Sequence, residues 1–226
     1  MYSHLKKRFT GNCSIRKQNN MKRSIILIPL LLSLSMAMAQ KPIVVIDPGH
    51  GGVDSGAVGT NGILEKEVVM GIATECLRLN HTLFQDSLEI YLTRYKDTLI
   101  SLGDRSRLAK ILMADAFVSI HCNQAPNDKA QGFEVFVADG PVDPRSQKLA
   151  AAITDRFGTS LGIVDRGLKR ANFQVLRETH GHFPSLLLET GFISNSIEAE
   201  HTRKTESRTA IALAILQSLT KTLYHD

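Results

Sequence analysis

Short runs of branched apolar residues alternate along this chain with segments whose apolar residues recur at helical spacing. "IVVI" at 43–46 is typical of a buried strand, whereas Val68, Ile72 and Cys76 fall on one face of a helix. Alternating strands and helices favour a parallel sheet, because each parallel connection has to cross over the sheet. We therefore predict a single α/β domain with a mostly parallel twisted sheet and helices on both faces.

The same patterns predict where the elements begin and end. Ser101 is expected to be a helix N-cap, and Asp104 three residues later resembles the second half of a capping box. The predicted strands are 42–46, 88–93, 116–121, 133–137 and 186–188, and the predicted helices are 65–83, 101–113, 144–161 and 204–223.

The first 39 residues have the pattern of an export signal. Met21-Lys22-Arg23 precedes an apolar run at 25–34, and Ala37-Met38-Ala39 follows before Gln40. The apolar run is short for a membrane span, although an uncleaved membrane anchor is the alternative. We predict a signal peptide at 1–39, with Met21 a possible true start. Residues 40–226 would then form an exported, periplasmic or secreted domain with no stable membrane span.

Removing the predicted signal changes the charge balance. Seven of the 27 Lys and Arg residues lie in 1–39, which leaves 20 basic residues against 22 acidic ones. The basic character of the whole chain therefore belongs to the export signal, and nothing in the remainder suggests a nucleic-acid partner. Only Cys76 and Cys122 remain after position 39, and both fall on buried faces of predicted elements. Two free buried thiols are the simpler interpretation, although export would permit a disulfide.

Polar residues lie where several predicted strands end. His50 follows the strand 42–46, His121 closes "FVSIH" and Glu189 closes "SLLLE", while Glu65 opens the first helix. Ligands of α/β proteins gather beyond the carboxyl ends of parallel strands, so the topology could bring these four together. Two histidines and a glutamate would suit a catalytic zinc ion with an open position, leaving the second glutamate for acid–base work.

Each of these residues also has a structural interpretation. His50 could cap the turn that follows it, and Glu65 could interact with the positive end of a helix dipole. His121 could be a hydrogen-bonded residue at a strand end. Glu189 is harder to explain in this way, because a buried carboxylate is costly unless it is paired or coordinated. The spacing by itself leaves a zinc site and a purely structural role open.

Five motifs in order resemble the zinc-dependent N-acetylmuramoyl-L-alanine amidases of bacterial cell walls. The resemblance runs from about Ile43 to the last predicted helix. The motifs are "IDPGHGGVDSGA", "EKEV", "VSIHCN", "DRGLKRANFQVL" and "LLLETGFISN".

The resemblance implies a role for each of the four residues. His50, Glu65 and His121 would bind zinc, and Glu189 would be the catalytic glutamate. Cys122 departs from the small residue that is usual in the family, but it should point away from a metal beside His121, since strand side chains alternate. Arg105 and Asn123 also match family positions and would support the site. The glycines around His50 would let metal and substrate approach the backbone.

The implied substrate is peptidoglycan. The bond cleaved would be the amide between the lactyl group of N-acetylmuramic acid and L-alanine, in cell-wall turnover and cell separation. Two alternatives are another zinc peptidase acting on the stem peptide and a non-catalytic wall-binding protein. We expect a monomer.

The connection after His121 bears on regulation. Some members of the family resembled here carry an added helix at this place, which blocks the site until a partner removes it. Residues 122–131 are ten residues, too few for a typical helix and its hinges. The sequence therefore predicts an open groove.

Overall fold

The alternating pattern folds into a six-stranded sheet with the strand order β2-β1-β3-β6-β4-β5. The computed structural model describes residues 40–141 and 143–224, so the predicted signal peptide lies outside the described residues. The strands are β1 (Ile43–Pro48), β2 (Glu89–Leu92), β3 (Ala116–Asn123), β4 (Phe133–Ala138), β5 (Asp165–Ala171) and β6 (Ser185–Phe192). The helices are α1 (Glu65–Thr82), α2 (Leu102–Ile111), α3 (Pro144–Arg156), α4 (Gln174–Thr179), α5 (Ser196–Arg203) and α6 (Thr205–Tyr224).

The sheet is mostly parallel, as predicted, with one reversal. Strands β2, β1, β3 and β6 run in the same direction, and β4 pairs with β6 in the antiparallel direction. Strand β5 is parallel to β4 and forms the edge. The carboxyl ends of β1, β3 and β6 therefore meet the amino-terminal ends of β4 and β5 at one edge of the sheet.

Helices cover both faces of the sheet, which confirms the prediction. On one face Ile46, Val118 and Leu188 pack in a large apolar core with α1, α3 and α6. On the other face Val45 and Leu187 belong to a smaller core that includes residues of α2 and α4. Alternation along each strand divides the side chains between the two cores.

Several elements differ from the prediction. Strand β5 was not predicted, because "DRGLKRA" is half exposed and charged and shows no clean alternation. Helices α4 and α5 are too short to give a helical period. In the helix predicted at 144–161, the α-helical part ends at Arg156, and residues 157–161 form one π-helical turn. Strand β6 is longer than 186–188, because its later residues remain paired with β3 and β4.

Three smaller predictions are confirmed. Ser101 caps α2, and its hydroxyl accepts a hydrogen bond from the amide of Asp104 at 3.2 Å. Cys76 and Cys122 are buried free thiols. The stretch between β3 and β4 contains no helix. Among the helices that the structure describes, none combines the length and the apolar character that a membrane span requires.

A buried ion pair joins the end of β1 to α2. Arg105 and Asp47 are 2% and 1% exposed, and Arg105 Nη1 donates to Asp47 Oδ1 at 2.7 Å. The same guanidinium donates to the carbonyls of Pro48 and His50 at 2.9 and 2.8 Å. Asp47 also accepts hydrogen bonds from the hydroxyl of Thr93, which follows β2, and from that of Ser119 in the middle of β3. The Arg105 guanidinium therefore fixes the loop that leaves β1, because it donates hydrogen bonds both to Asp47 and to the backbone of the loop.

Replacing Arg105 with methionine should destabilise the fold. The substitution leaves Asp47 buried without its countercharge and removes donors to two carbonyls, so we expect the free energy of unfolding to fall by about 3–5 kcal/mol. Urea denaturation measures this change. Arg107→Met is the control, since the Arg107 side chain is 71% exposed and pairs only with Asp104. That control should lose less than about 1 kcal/mol. Equal losses in the two variants would contradict the role given to Arg105.

Candidate metal centre and active site

The structure brings the four sequence-predicted site residues to one edge of the sheet. His50 lies two residues beyond β1, His121 near the end of β3, and Glu189 near the end of β6. Glu65 is the first residue of α1. His121 and Glu189 are directly paired across β3 and β6, which places their side chains on the same face.

Three of these residues form a compact group. Glu65 Oε1 lies 3.1 Å from His50 Nε2 and 3.0 Å from His121 Nδ1. The centroids of the two imidazole rings are 4.9 Å apart. One ligand atom from each of the three residues lies within 4.8 Å of the others. Two ring nitrogens and a carboxylate oxygen are the donor types that zinc prefers, so the group can hold a metal ion.

Two of the three side chains, His50 and Glu65, are fixed by further contacts. His50 Nδ1 donates to Asp54 Oδ2 at 2.8 Å, which leaves Nε2 facing Glu65. Glu65 is 4% exposed, and its oxygens accept from the amides of Ala57 and Cys122, each at 2.9 Å. Such outer contacts orient metal ligands and select the nitrogen that is offered.

The backbone of the His50 loop is unusual. His50 itself has φ of 58°, a left-handed conformation that is uncommon for a residue with a side chain. Like Arg105, Arg94 donates hydrogen bonds to the backbone of this loop. Its guanidinium bonds to the carbonyls of Pro48 and Gly49 at 3.0 and 2.9 Å. The surrounding contacts therefore hold a strained residue at the site, a situation common where function depends on the geometry.

The glycines of this loop make room for the protein's own site residues. A Cβ on Gly49 would lie 2.3 Å from the His121 ring, and one on Gly56 would lie 2.6 Å from Glu65 Oε2. We expected these glycines to admit metal and substrate to the backbone. At Gly49 and Gly56 the adjacent space is instead filled by two of the proposed metal ligands.

The protonation of the group indicates where a cation fits. Hydrogen bonding to Glu65 raises the pKa of His50 to about 9, against the opposing effect of burial. Burial tends to raise the pKa of Glu65, but hydrogen bonds from His121 and His50 outweigh it and hold that pKa well below its usual range. Both ring nitrogens of His50 thus face carboxylates. In the metal-free protein a proton on the His50 ring supplies the positive charge between these carboxylates, and a metal ion bound to Nε2 and Glu65 could supply it instead.

Glu189 is in a different environment from Glu65. Its Oε2 is buried and has no hydrogen-bond partner among the described residues. Burial, together with the nearby carboxylates of Glu65 and Glu134, raises the pKa of Glu189 to about 7 against the opposing charges of His121 and His50. A carboxyl group with a pKa near neutrality can both accept and release a proton at physiological pH.

Cys122 lies beside His121 but takes no part in the group through its sulfur. Its Sγ lies 3.5 Å from Thr190 Oγ1, away from the paired imidazoles, as the alternation of β3 predicts. Burial raises the pKa of this thiol well above its usual range, so the sulfur is protonated and a poor metal ligand.

Sequence reasoning missed Asp54 and Glu134. Asp54 had a weak signal, since an acidic residue four positions after His50 can reach the ring. Glu134 had none, because its place beside Glu189 depends on the antiparallel pairing of β4 with β6.

The chain belongs to the N-acetylmuramoyl-L-alanine amidase family, whose Amidase_3 model matches residues 44–221. The amidase LytC of Bacillus subtilis (strain 168) is 35% identical over 212 residues, which are 91% of this chain and 42% of LytC. The chain thus corresponds to less than half of that relative's length.

Two solved structures of the family have the same fold. The catalytic domain of CwlV, an N-acetylmuramoyl-L-alanine amidase from Bacillus (Paenibacillus) polymyxa var. colistinus, is 34% identical with a TM-score of 0.73. That match covers 80% of this chain and 98% of the CwlV domain. The amidase AmiC2 of Nostoc punctiforme is also 34% identical, with a TM-score of 0.74 and coverage of 82% and 99%.

Replacing Glu189 with glutamine should stabilise the metal-free protein at high pH. The raised pKa means that the folded state binds the proton more tightly than the unfolded state, so stability falls as pH rises from about 4.5 to about 7. Glutamine removes this loss, so its gain in the free energy of unfolding over the wild type should be about 2.5 kcal/mol larger at pH 8 than at pH 5. Urea denaturation with a chelator at both pH values measures it. The exposed Glu206→Gln control should show no such difference, and a pH-independent effect of Glu189→Gln would contradict the assignment.

Proposed function

We propose that this protein is a zinc-dependent hydrolase of peptidoglycan. It cleaves the amide bond between the lactyl group of N-acetylmuramic acid and L-alanine, in cell-wall turnover and cell separation. The observation that carries the proposal is the placement of Glu189 beside the group of His50, Glu65 and His121. The buried Oε2 of Glu189 has no hydrogen-bond partner among the described residues. Family membership supports the choice of bond.

The residues divide the chemistry between them. His50, Glu65 and His121 would hold zinc, which when bound supplies a Lewis acid that polarises a carbonyl and acidifies water. The Glu189 carboxylate accepts the proton of the attacking water and passes it to the leaving nitrogen of L-alanine. The raised pKa of Glu189 suits this exchange, since a base that must later act as an acid works best near the ambient pH.

Substitutions at the four residues should separate metal binding from proton transfer. His50→Ala, Glu65→Ala and His121→Ala should each lower the zinc content, because each removes one ligand. Glu189→Ala should keep the metal and lose at least about 10²-fold in turnover, since it removes the general base. Elemental analysis gives the zinc content, and mass spectrometry of muropeptides gives the bond cleaved.

Each alternative outcome would support a different conclusion about the protein. A shortened stem peptide in place of free lactyl-bearing glycan would indicate a peptidase. Full zinc content without cleavage of peptidoglycan in the wild type would indicate a wall-binding protein. Near-normal activity of Glu189→Ala would contradict the role given to that residue.

We place the reaction outside the cytoplasm, in the periplasm or in the secreted fraction. The signal-like pattern at 1–39 supports this location, and so does the position of peptidoglycan beyond the cytoplasmic membrane. Residues 40–226 would then act as a monomer after processing.

The open connection between β3 and β4 leads to a prediction on regulation. Residues 124–132 contain no helix that could cover His121 or Glu189. Zinc-loaded protein of residues 40–226 should therefore hydrolyse purified peptidoglycan without a second protein. Release of soluble muropeptides measures this activity, with a chelated sample as the control. A folded, zinc-loaded sample that stays inactive until another protein is added would refute the open groove.

A further inference from the structure

Two cations lie on the edge strand next to the candidate active site and have no place in the chemistry above. They are Arg166 and Lys169 of β5, whose side chains are 38% and 40% exposed. We propose that they form a subsite for a carboxylate group of the stem peptide. This inference rests on the proposed function, because it concerns the substrate of the same site.

Strand pairing places the two cations one residue away from Glu189. Glu134 in β4 is directly opposite Glu189 in β6, and antiparallel partners have adjacent side chains on the same face. Arg166 Nε and Lys169 Nζ both donate to Glu134 Oε1, at 2.7 and 2.6 Å. The order across the edge of the sheet is therefore His121, Glu189, Glu134 and then the cations.

The charges of this cluster do not balance. Glu134 is 4% exposed and needs a countercharge, which one cation would provide. Its other oxygen already accepts a hydrogen bond from Asn123 Nδ2 at 2.9 Å. Neither cation bonds to Glu189, whose Oε2 has no partner among the described residues. The group of Arg166, Lys169 and Glu134 therefore carries one more positive than negative charge, at a half-exposed place beside Glu189.

Aromatic rings hold the two cations in position. The Arg166 guanidinium lies 4.8 Å from the centroid of the Phe192 ring, and the Lys169 ammonium lies 5.8 Å from that of Phe136. Phe173, which is 38% exposed, packs on Phe136 with ring centroids 5.3 Å apart. Cations fixed in this way lose less conformational freedom when they bind a ligand.

A carboxylate of the stem peptide fits this surplus charge. The glycan strand presents hydroxyl and acetamido groups, which are neutral, whereas the stem peptide carries carboxylates. A guanidinium and an ammonium can bind one carboxylate by charge-assisted hydrogen bonds, and a single negative charge matches the net charge of the cluster. The phosphate groups of wall polymers have related chemistry, so the experiment has to separate these two sources.

The test compares two soluble muropeptide substrates that differ only in whether the stem carboxylates are free or amidated. Lys169→Gln should raise KM for the free-carboxylate substrate about tenfold and leave kcat and the amidated substrate nearly unchanged, since a charge-assisted contact is lost from binding alone. Arg166→Gln should act in the same direction. Arg170→Gln is the matched control, because Arg170 is an exposed cation of the same strand that donates to the Gly140 carbonyl instead.

Zinc content and thermal unfolding show whether each variant is folded, and whichever of the Lys169 and Arg166 variants is folded decides the outcome. Equal effects on the free and amidated substrates, or none, would overturn the subsite while leaving the amidase proposal intact. Failure of the wild type to cleave either substrate would overturn the proposed function and the subsite with it. A penalty seen only on walls that retain phosphate polymers, and absent on the muropeptides, would overturn the carboxylate assignment in favour of phosphate.

Discussion

The guanidinium of Arg105 lies beneath the loop that carries His50, and the geometry of the site depends on it. It neutralises the buried Asp47 at the end of β1 and donates to the carbonyls of Pro48 and His50. An unsatisfied carbonyl beneath this loop would be costly. The ion pair therefore satisfies the loop backbone and holds His50 in a left-handed conformation that its side chain would otherwise disfavour.

Three carboxylates at one edge of the sheet illustrate how the surroundings determine chemistry. Glu65 is surrounded by donors and stays ionised, which suits a metal ligand. Glu134 accepts hydrogen bonds from Arg166 and Lys169, and these two cations outweigh the effect of burial and lower the pKa of Glu134. Glu189 has no donor to its buried Oε2, so burial raises its pKa towards neutrality. The protein keeps a buried carboxylate oxygen without a partner among the described residues at the place where the proposed reaction moves a proton, a loss of stability of the kind that accompanies function.

The reversal of chain direction at β4 has a consequence for the site. Had β4 continued parallel to β6, its carboxyl end would have met that of β6, and Glu134 near its start would lie at the opposite edge. The antiparallel pairing instead brings the beginning of β4 and β5 to the candidate active site. The edge strand thereby places Arg166 and Lys169 beside Glu189, so the reaction centre and the proposed carboxylate subsite share one sheet edge.

The sequence by itself predicted the α/β class, the order of most elements and the four residues that the structure brings together. The class and the order follow from local periodicity. The four residues follow from the rule that parallel strands present their carboxyl ends together and from the resemblance of five motifs to the amidase family. Strand β5, the direction of β4 and the place of Glu134 were decided only by the tertiary structure. So was the burial of Glu189 Oε2, which no local pattern encodes. Pairing and burial depend on contacts between residues far apart in the chain, and the pKa of a carboxyl group depends on those contacts.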